Sequence, residues 1–326
     1  MQENVAGIQI PEREIPTPAH LSEEARAFIA MAAQRPDVIP PTDATAAWWL
    51  QARKDWDQRM LLQIEPFFMP ELVSIKTFTV GEATCYEISP KLAISNPAKV
   101  MLDIHGGALV FGGGRFAMII GALRALVFSC KVLAVDYRMP PDYPYPHGLD
   151  DCVAAYQYLL AEYKSKDIAI CGISAGGNLA AASVLRARDE GLPLPGVLIL
   201  LTPEIDLTES GDSFCTNAQI DVALPNGLPA ANALYANGAN LRSPYLSPLF
   251  DDYTGAWPPT YLQTGTRDLF LSNTVRIHRK LLNAGHDTEL HVWEAMPHAG
   301  FGGASPEDRE IFASAKEFLK NKAGWI

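Results

Sequence analysis

No stretch of this chain approaches the ~18 consecutive apolar residues needed to cross a bilayer. The first eighteen residues are polar and proline-rich, without the apolar core of a secretory signal. The chain is therefore expected to be cytoplasmic and to have no membrane span. Basic residues are in the minority, 26 Lys and Arg against 37 Asp and Glu, for a net charge of −11. No basic patch carries interleaved aromatics, so no nucleic-acid partner is expected. Cysteines number five, with no C-x-x-C pair and no metal-ligand spacing. That excludes a disulfide framework and gives no metal site; Cys85, Cys130, Cys152 and Cys171 lie in apolar or amphipathic runs and read as buried reduced thiols. The glycine clusters lack the Gly-Lys-Ser/Thr ending of a phosphate loop.

What remains is an apolar, moderately charged chain of 326 residues, 48% hydrophobic and 19% charged. That composition buries a sizeable core in one large α/β domain with an elaboration, or in two smaller domains. The first ~70 residues show no strand pattern. Leu21 to Gln34 reads as a helix capped by Ser22 with Pro36 beyond its end, and Thr42 or Asp43 to about Ile64 as a second, longer one. Trp48, Trp49, Phe67 and Phe68 belong to this region and are expected either to pack internally or to form a lid over an apolar pocket.

From Val73 the texture changes. Strand-like runs fall at Val73–Val80, Ala83–Ser89, Lys99–Ile104, Lys131–Val135, Asp167–Cys171, Val197–Thr202, Thr260–Thr264 and Thr288–Trp293. Helical stretches alternate with the later ones, at Phe116–Ser129, Leu149–Tyr163, Gly176–Asp189, Ser272–Ala284 and Glu307–Lys320. This alternation predicts crossover units and an eight-stranded, mostly parallel sheet with helices on both faces, its first two strands forming an antiparallel edge hairpin. The segment from Leu207 to Trp257 interrupts the pattern with Pro, Gly, Asn and Ser and one short helix at Leu228–Tyr235. A loop that long inside a compact domain is usually functional. The expected organisation is an N-terminal helical cap at 1–70 and a catalytic domain at 71–326, to which 205–257 adds a cap insertion.

Gly172-Ile173-Ser174-Ala175-Gly176-Gly177 joins a strand to an alanine-rich helix. That is the context a G-x-S-x-G nucleophile requires: the serine sits on a strained turn, and glycines two residues either side leave room for the neighbouring strand and helix. His105-Gly106-Gly107-Ala108 follows another apolar strand. Backbone poor in side chains can there turn Gly106 and Gly107 N–H towards a carbonyl oxygen, with Ala175 N–H as a third donor. His105 itself is expected to hold the loop. A serine hydroxyl needs a base, and the order for this nucleophile is Ser, Asp, His. Of the later histidines, His278 lies in a helix, His286 in a turn and His291 within a strand; His298 lies in a glycine-rich loop past a strand's carboxyl end. Asp268, in Gly265-Thr266-Arg267-Asp268, is the expected acid, with Asp206 the runner-up and Asp251 and Asp252 read as solvated.

Taken together these residues resemble the hormone-sensitive-lipase family of α/β-hydrolases, in its bacterial esterase branch. The family's H-G-G-G and G-D-S-A-G-G are matched at 105–108 and 172–177, and its D-Y-R-x-A-P by Asp136-Tyr137-Arg138-Met139-Pro140-Pro141. Ser247-Pro248-Leu249 and Met296-Pro297-His298-Ala299-Gly300-Phe301 follow in order and spacing, so the likeness runs from about residue 72 to 320. It implies a helical cap, no cofactor, short-acyl ester substrates, and a homodimer through the edge strand Thr288–Trp293. Two positions depart from it. Ala108 replaces the third glycine, which leaves Gly106 and Gly107 as the safer donors, and Ile173 replaces the acid beside the nucleophile, which removes a charge and bears on substrate preference. The same machinery serves amides, lactones and β-lactams, because fold does not fix substrate. A small-molecule receptor on this scaffold would tend to lose part of the triad, and here every member is present.

Overall fold

The computed structural model describes residues 7–34, 39–92 and 97–325. Pro36, expected just past the first helix, lies outside them. Helix α1 (Glu23–Ala32) starts where Ser22 Oγ accepts from Ala25 N. Helix α2 (Ala46–Ile64) starts later than expected: Thr45, not Thr42 or Asp43, is its cap, with Oγ1 accepting from Trp48 N. A capping side chain must reach the third N–H of its own helix, and only Thr45 has the spacing.

Eight strands form one sheet: β1 (Val73–Val80), β2 (Ala83–Pro90), β3 (Val100–Ile104), β4 (Lys131–Asp136), β5 (Ile168–Ile173), β6 (Val197–Leu201), β7 (Thr260–Gly265) and β8 (Thr288–Trp293). Their spatial order is β1-β2-β4-β3-β5-β6-β7-β8. β2 runs antiparallel to both β1 and β4, and all other pairs are parallel. Between the strands lie α3 (Arg115–Phe128), α4 (His147–Glu162), α5 (Ala175–Asp189), α6 (Ser213–Thr216), α7 (Pro229–Ala236), α8 (Leu271–Asn283) and, last, α9 (Pro306–Ala323). The four-residue α6 carries no periodic signal and went unpredicted.

The central strands read as unbroken apolar runs because both faces are covered. Every residue of β3 and of β6 is buried. Side chains alternate between two cores, as a strand's two-residue period requires. Val100, Leu102 and Ile104 join α4, α5 and α8 on one face; Met101, with Val132 and Ile199, joins α3 and α9 on the other. The parallel strands thus point their carboxyl ends to one rim, where loops leave for the helices. Both N-terminal helices sit on that rim. α1 buries Ala25 and Ile29 against Met296, Phe301 and Ile311. α2 buries Trp49 against Ala108, Val110 and, from α7, Ala231. Ser22 also donates its N–H and Oγ–H to the Glu307 carboxylate, 2.7 Å each, which ties the first helix to the last. No helix among the described residues is long and apolar enough to cross a membrane.

Candidate active site

The turn after β5 holds Ser174 at φ +57°, ψ −124°, a region that L-residues rarely occupy and that costs of order 1–3 kcal/mol. The backbone is locked there by four hydrogen bonds: Ser174 N donates to Leu201 O at 2.9 Å, and Ser174 O accepts from Gly177 N, Asn178 N and Glu204 N. The flanking glycines are required by contact. A Cβ on Gly172 would stand 2.2 Å from Gly176 O, and one on Gly176 would stand 2.1 Å from Ile104 O. Strand, helix and the end of β3 therefore close on the serine together.

His298, in the loop after β8, meets that serine. Its Nε2 lies 2.9 Å from Ser174 Oγ, and its Nδ1 lies 3.0 Å from Asp268 Oδ1. Asp268, in the turn after β7, is wholly buried and further fixed by Thr264 Oγ–H at 2.7 Å and Phe270 N–H at 2.9 Å. Burial alone would lower the His298 pKa. The hydrogen bond and charge of Asp268, with the charge of Asp221, outweigh it and hold the imidazole above its ordinary value. The other histidines are elsewhere. His278 is in α8, His286 reaches Tyr253 O, and His291 contacts Ser314 and Glu289. Buried His105 stacks on Tyr137 with ring centroids 4.2 Å apart and turns Nδ1 to Gly106 O.

The alternative acid, Asp206, is engaged in its own loop. Thr208, Ser210 and, at 2.9 Å, Arg276 donate to it. Asp252 is exposed as expected, but Asp251 is not solvated: it is buried and forms a bidentate pair with Arg188 at 2.8 and 3.0 Å. It follows Leu249 and Phe250 in sequence, and its ion-pair partner comes from a distant helix that sequence reading did not bring near.

The residue that sequence reading missed is Asp221, inside the insertion. Its carboxylate accepts from His298 N at 3.1 Å and Leu269 N at 2.8 Å, beside the other two acidic and basic groups. Burial, then the charge of Asp268, push its pKa up to about 6. One available signal was its setting: an acid within Ile220-Asp221-Val222-Ala223-Leu224 is an acid placed for burial. Asp221, Asp268 and His298 bring ligand-type atoms within 4.8 Å of one another. Those atoms already bond among themselves and to backbone N–H groups. Glu204, also buried, has its pKa raised to about 8, first by burial and then by the charge of Glu209, so it is a neutral acid at pH 7.

Opposite the histidine lies the loop after β3. Among the described residues, Gly106, Gly107 and Ala175 N–H have no hydrogen-bond acceptor. Gly107, at φ +124°, turns its own oxygen back to Val110 N and Phe111 N. Ala108 stands at φ +53°, where the resembling family has glycine; an alanine there costs about 1–2 kcal/mol. Ile173, the other departure, lies against Gly106. Trp49 and Trp48 cover this loop, and Trp56 stacks on Phe111 at 5.5 Å. Phe67 is exposed, and Phe68 packs behind the sheet under Arg115, so neither closes over the serine as a lid would. A 540 Å³ groove between α2 and the β4 loop is lined by Arg53, Asp57, Asp136 and Arg138 and does not include Ser174.

Known proteins share this fold. The profile of the α/β hydrolase fold matches residues 101–301. An acetyl-hydrolase of Streptomyces hygroscopicus is 29% identical over 76% of this chain and 82% of its own. The crystal structure of an esterase superposes with a TM-score of 0.88 at 34% identity, covering 97% of this chain and 99% of that one. The crystal structure of an esterase from the bacterial hormone-sensitive lipase family gives 0.82 at 31% identity, covering 93% and 99%. The chain belongs to the α/β-hydrolase fold family, in its bacterial hormone-sensitive-lipase branch.

Proposed function

We propose that the protein is a serine carboxylesterase that hydrolyses small, short-acyl esters through an acyl-enzyme. The observation that carries this reading is the chain of contacts from Ser174 Oγ through His298 to Asp268, 2.9 and 3.0 Å long, facing three unused N–H groups. Ser174 Oγ attacks the ester carbonyl while His298 Nε2 takes its proton. Asp268 keeps Nδ1 protonated and stabilises the imidazolium. Gly106, Gly107 and Ala175 N–H bind the oxyanion; each such donor contributes ~3–4 kcal/mol to the transition state. The tetrahedral intermediate collapses, the imidazolium gives its proton to the departing alkoxide, and alcohol leaves. Water then attacks the acyl-serine with His298 again as base, and the carboxylic acid is released with Ser174 restored.

The acetyl-hydrolase relative supports a short acyl group. We read the N-terminal helices and residues 205–257 as the cap, because α1, α2 and α7 bury side chains against the donor and histidine loops. A homodimer would use β8, which ends the sheet. The test is hydrolysis of p-nitrophenyl acetate by wild type and Ser174→Ala. The variant is expected to fall on the order of 10⁶-fold, to the residual rate that the donors alone sustain; equal rates would overturn the assignment.

A further inference from the structure

The steps above use one carboxylate, yet a second stands beside it. Asp221 comes from the insertion, not from the sheet. Its Oδ1 accepts from Ala223 N at 2.9 Å and Leu224 N at 3.0 Å, which closes its own turn. Its Oδ2 accepts from Leu269 N at 2.8 Å, the residue after Asp268. Both oxygens accept from His298 N, at 3.2 and 3.1 Å. One carboxyl group therefore grips the backbone on both sides of the Asp268–His298 bond. Asn217, four residues earlier, adds its amide to Thr266 O at 3.2 Å and Asp268 O at 2.8 Å.

We propose that Asp221 is a positioning residue for the acid–base pair: it sets the spacing of the Asp268 and His298 loops and adds a negative charge beside the imidazolium. This rests on the serine-esterase reading. The geometry explains why a buried acid is tolerated. Four N–H donors compensate its desolvation, and the titratable groups facing it are Asp268 from the β7 turn and His298 from the β8 loop. Its charge is among the causes that hold the His298 pKa up. The insertion and the catalytic pair are thus one unit. A shift of the loop that carries Asp221 moves both partners of a 3.0 Å bond, and displacements of about 1 Å at such a site cost on the order of 100-fold in rate.

The experiment compares wild type with Asp221→Asn on p-nitrophenyl acetate from pH 5 to 9, after titrating reactive Ser174 with diethyl p-nitrophenyl phosphate. If wild type neither hydrolyses the ester nor labels at Ser174, the serine-esterase reading fails. If it does both, the variant is expected to label, with kcat lowered about 10- to 100-fold, KM nearly unchanged, and the acid limb of kcat/KM moved to lower pH. Unchanged kcat, or a fall in kcat with the acid limb unmoved, overturns the inference alone. Should the variant not fold, wild type decides. The downfield Nδ1–H resonance of His298 should show a second inflection from Asp221 as pH is varied, and a single inflection overturns the inference.

Discussion

The two sides of the site are held by different forces. On the donor side, the loop after β3 rests under Trp49, Val110 and Ala231, with Trp56 stacked on Phe111. Its polar tethers are few: Tyr137 donates to His105 O at its start, and at its far end Arg53 donates to Val110 O and Asp57 accepts from Gly112 N. On the acid–base side, Thr264, Phe270 N–H, Asn217 and Asp221 fix Asp268 and His298 by hydrogen bonds of 2.7–3.2 Å. The division suits the proposed chemistry. An oxyanion pocket needs backbone held still, and non-directional burial does that. A proton relay needs atoms about 3 Å apart at set angles, which only directional bonds supply. The donor side should therefore be insensitive to pH and the acid–base side sensitive to it.

The hardest test of that contrast is Asp268→Asn. It should lower kcat by about 10⁴, through loss of the right imidazole tautomer, while thermal melting barely moves. A loss under tenfold would mean that the polar side is not carrying the relay. Trp49→Ala acts on the other side. It should destabilise the fold by about 3–4 kcal/mol in urea unfolding and reduce kcat with no change in the shape of the pH profile. A moved acid limb would break the contrast. Glu204→Gln comes next. The wild-type carboxyl is neutral when folded up to about pH 8 but ionises when unfolded near 4.5, so wild-type stability falls as pH rises between those values. The glutamine has no such dependence. Its unfolding free energy should gain on wild type across that window, by up to about 3 kcal/mol at pH 7, and a gap that stays constant with pH refutes the assignment. For wild type itself, the raised His298 pKa places the acid limb of kcat/KM above 6.5, because the base must be neutral to act. The smallest effect belongs to Ala108→Gly. Relief at φ +53° outweighs the greater freedom of unfolded glycine, so the variant should be more stable by about 0.5–1 kcal/mol, read from paired melts.

The sheet and its helices were legible in the sequence because their signals are local. Thr288–Trp293 falls where the alternation put it, and the other strands end within a residue or two. The meeting of Ser174, Asp268 and His298 was legible for a related reason: each sits where a readable strand ends. Asp221 was not. It belongs to a stretch with no period, and its partners are 48 and 77 residues away. Its role depends on where a loop lands, which tertiary packing decides. Asp251 failed in the same manner, since Arg188 reaches it from α5. Phe67 and Phe68 were read by composition alone, and an aromatic's side of the chain cannot be known without the helix that orients it.

The bond between Ser22 and Glu307 has a consequence in time. During synthesis the N-terminal helices leave the ribosome first, but α1 has nothing to dock on until the His298 loop and α9 follow. Until then its apolar face, Ala25 and Ile29, is unpacked. A chain cut before residue 307 should therefore leave α1 undocked and part of one face of the sheet bare, and hydrolyse no p-nitrophenyl acetate.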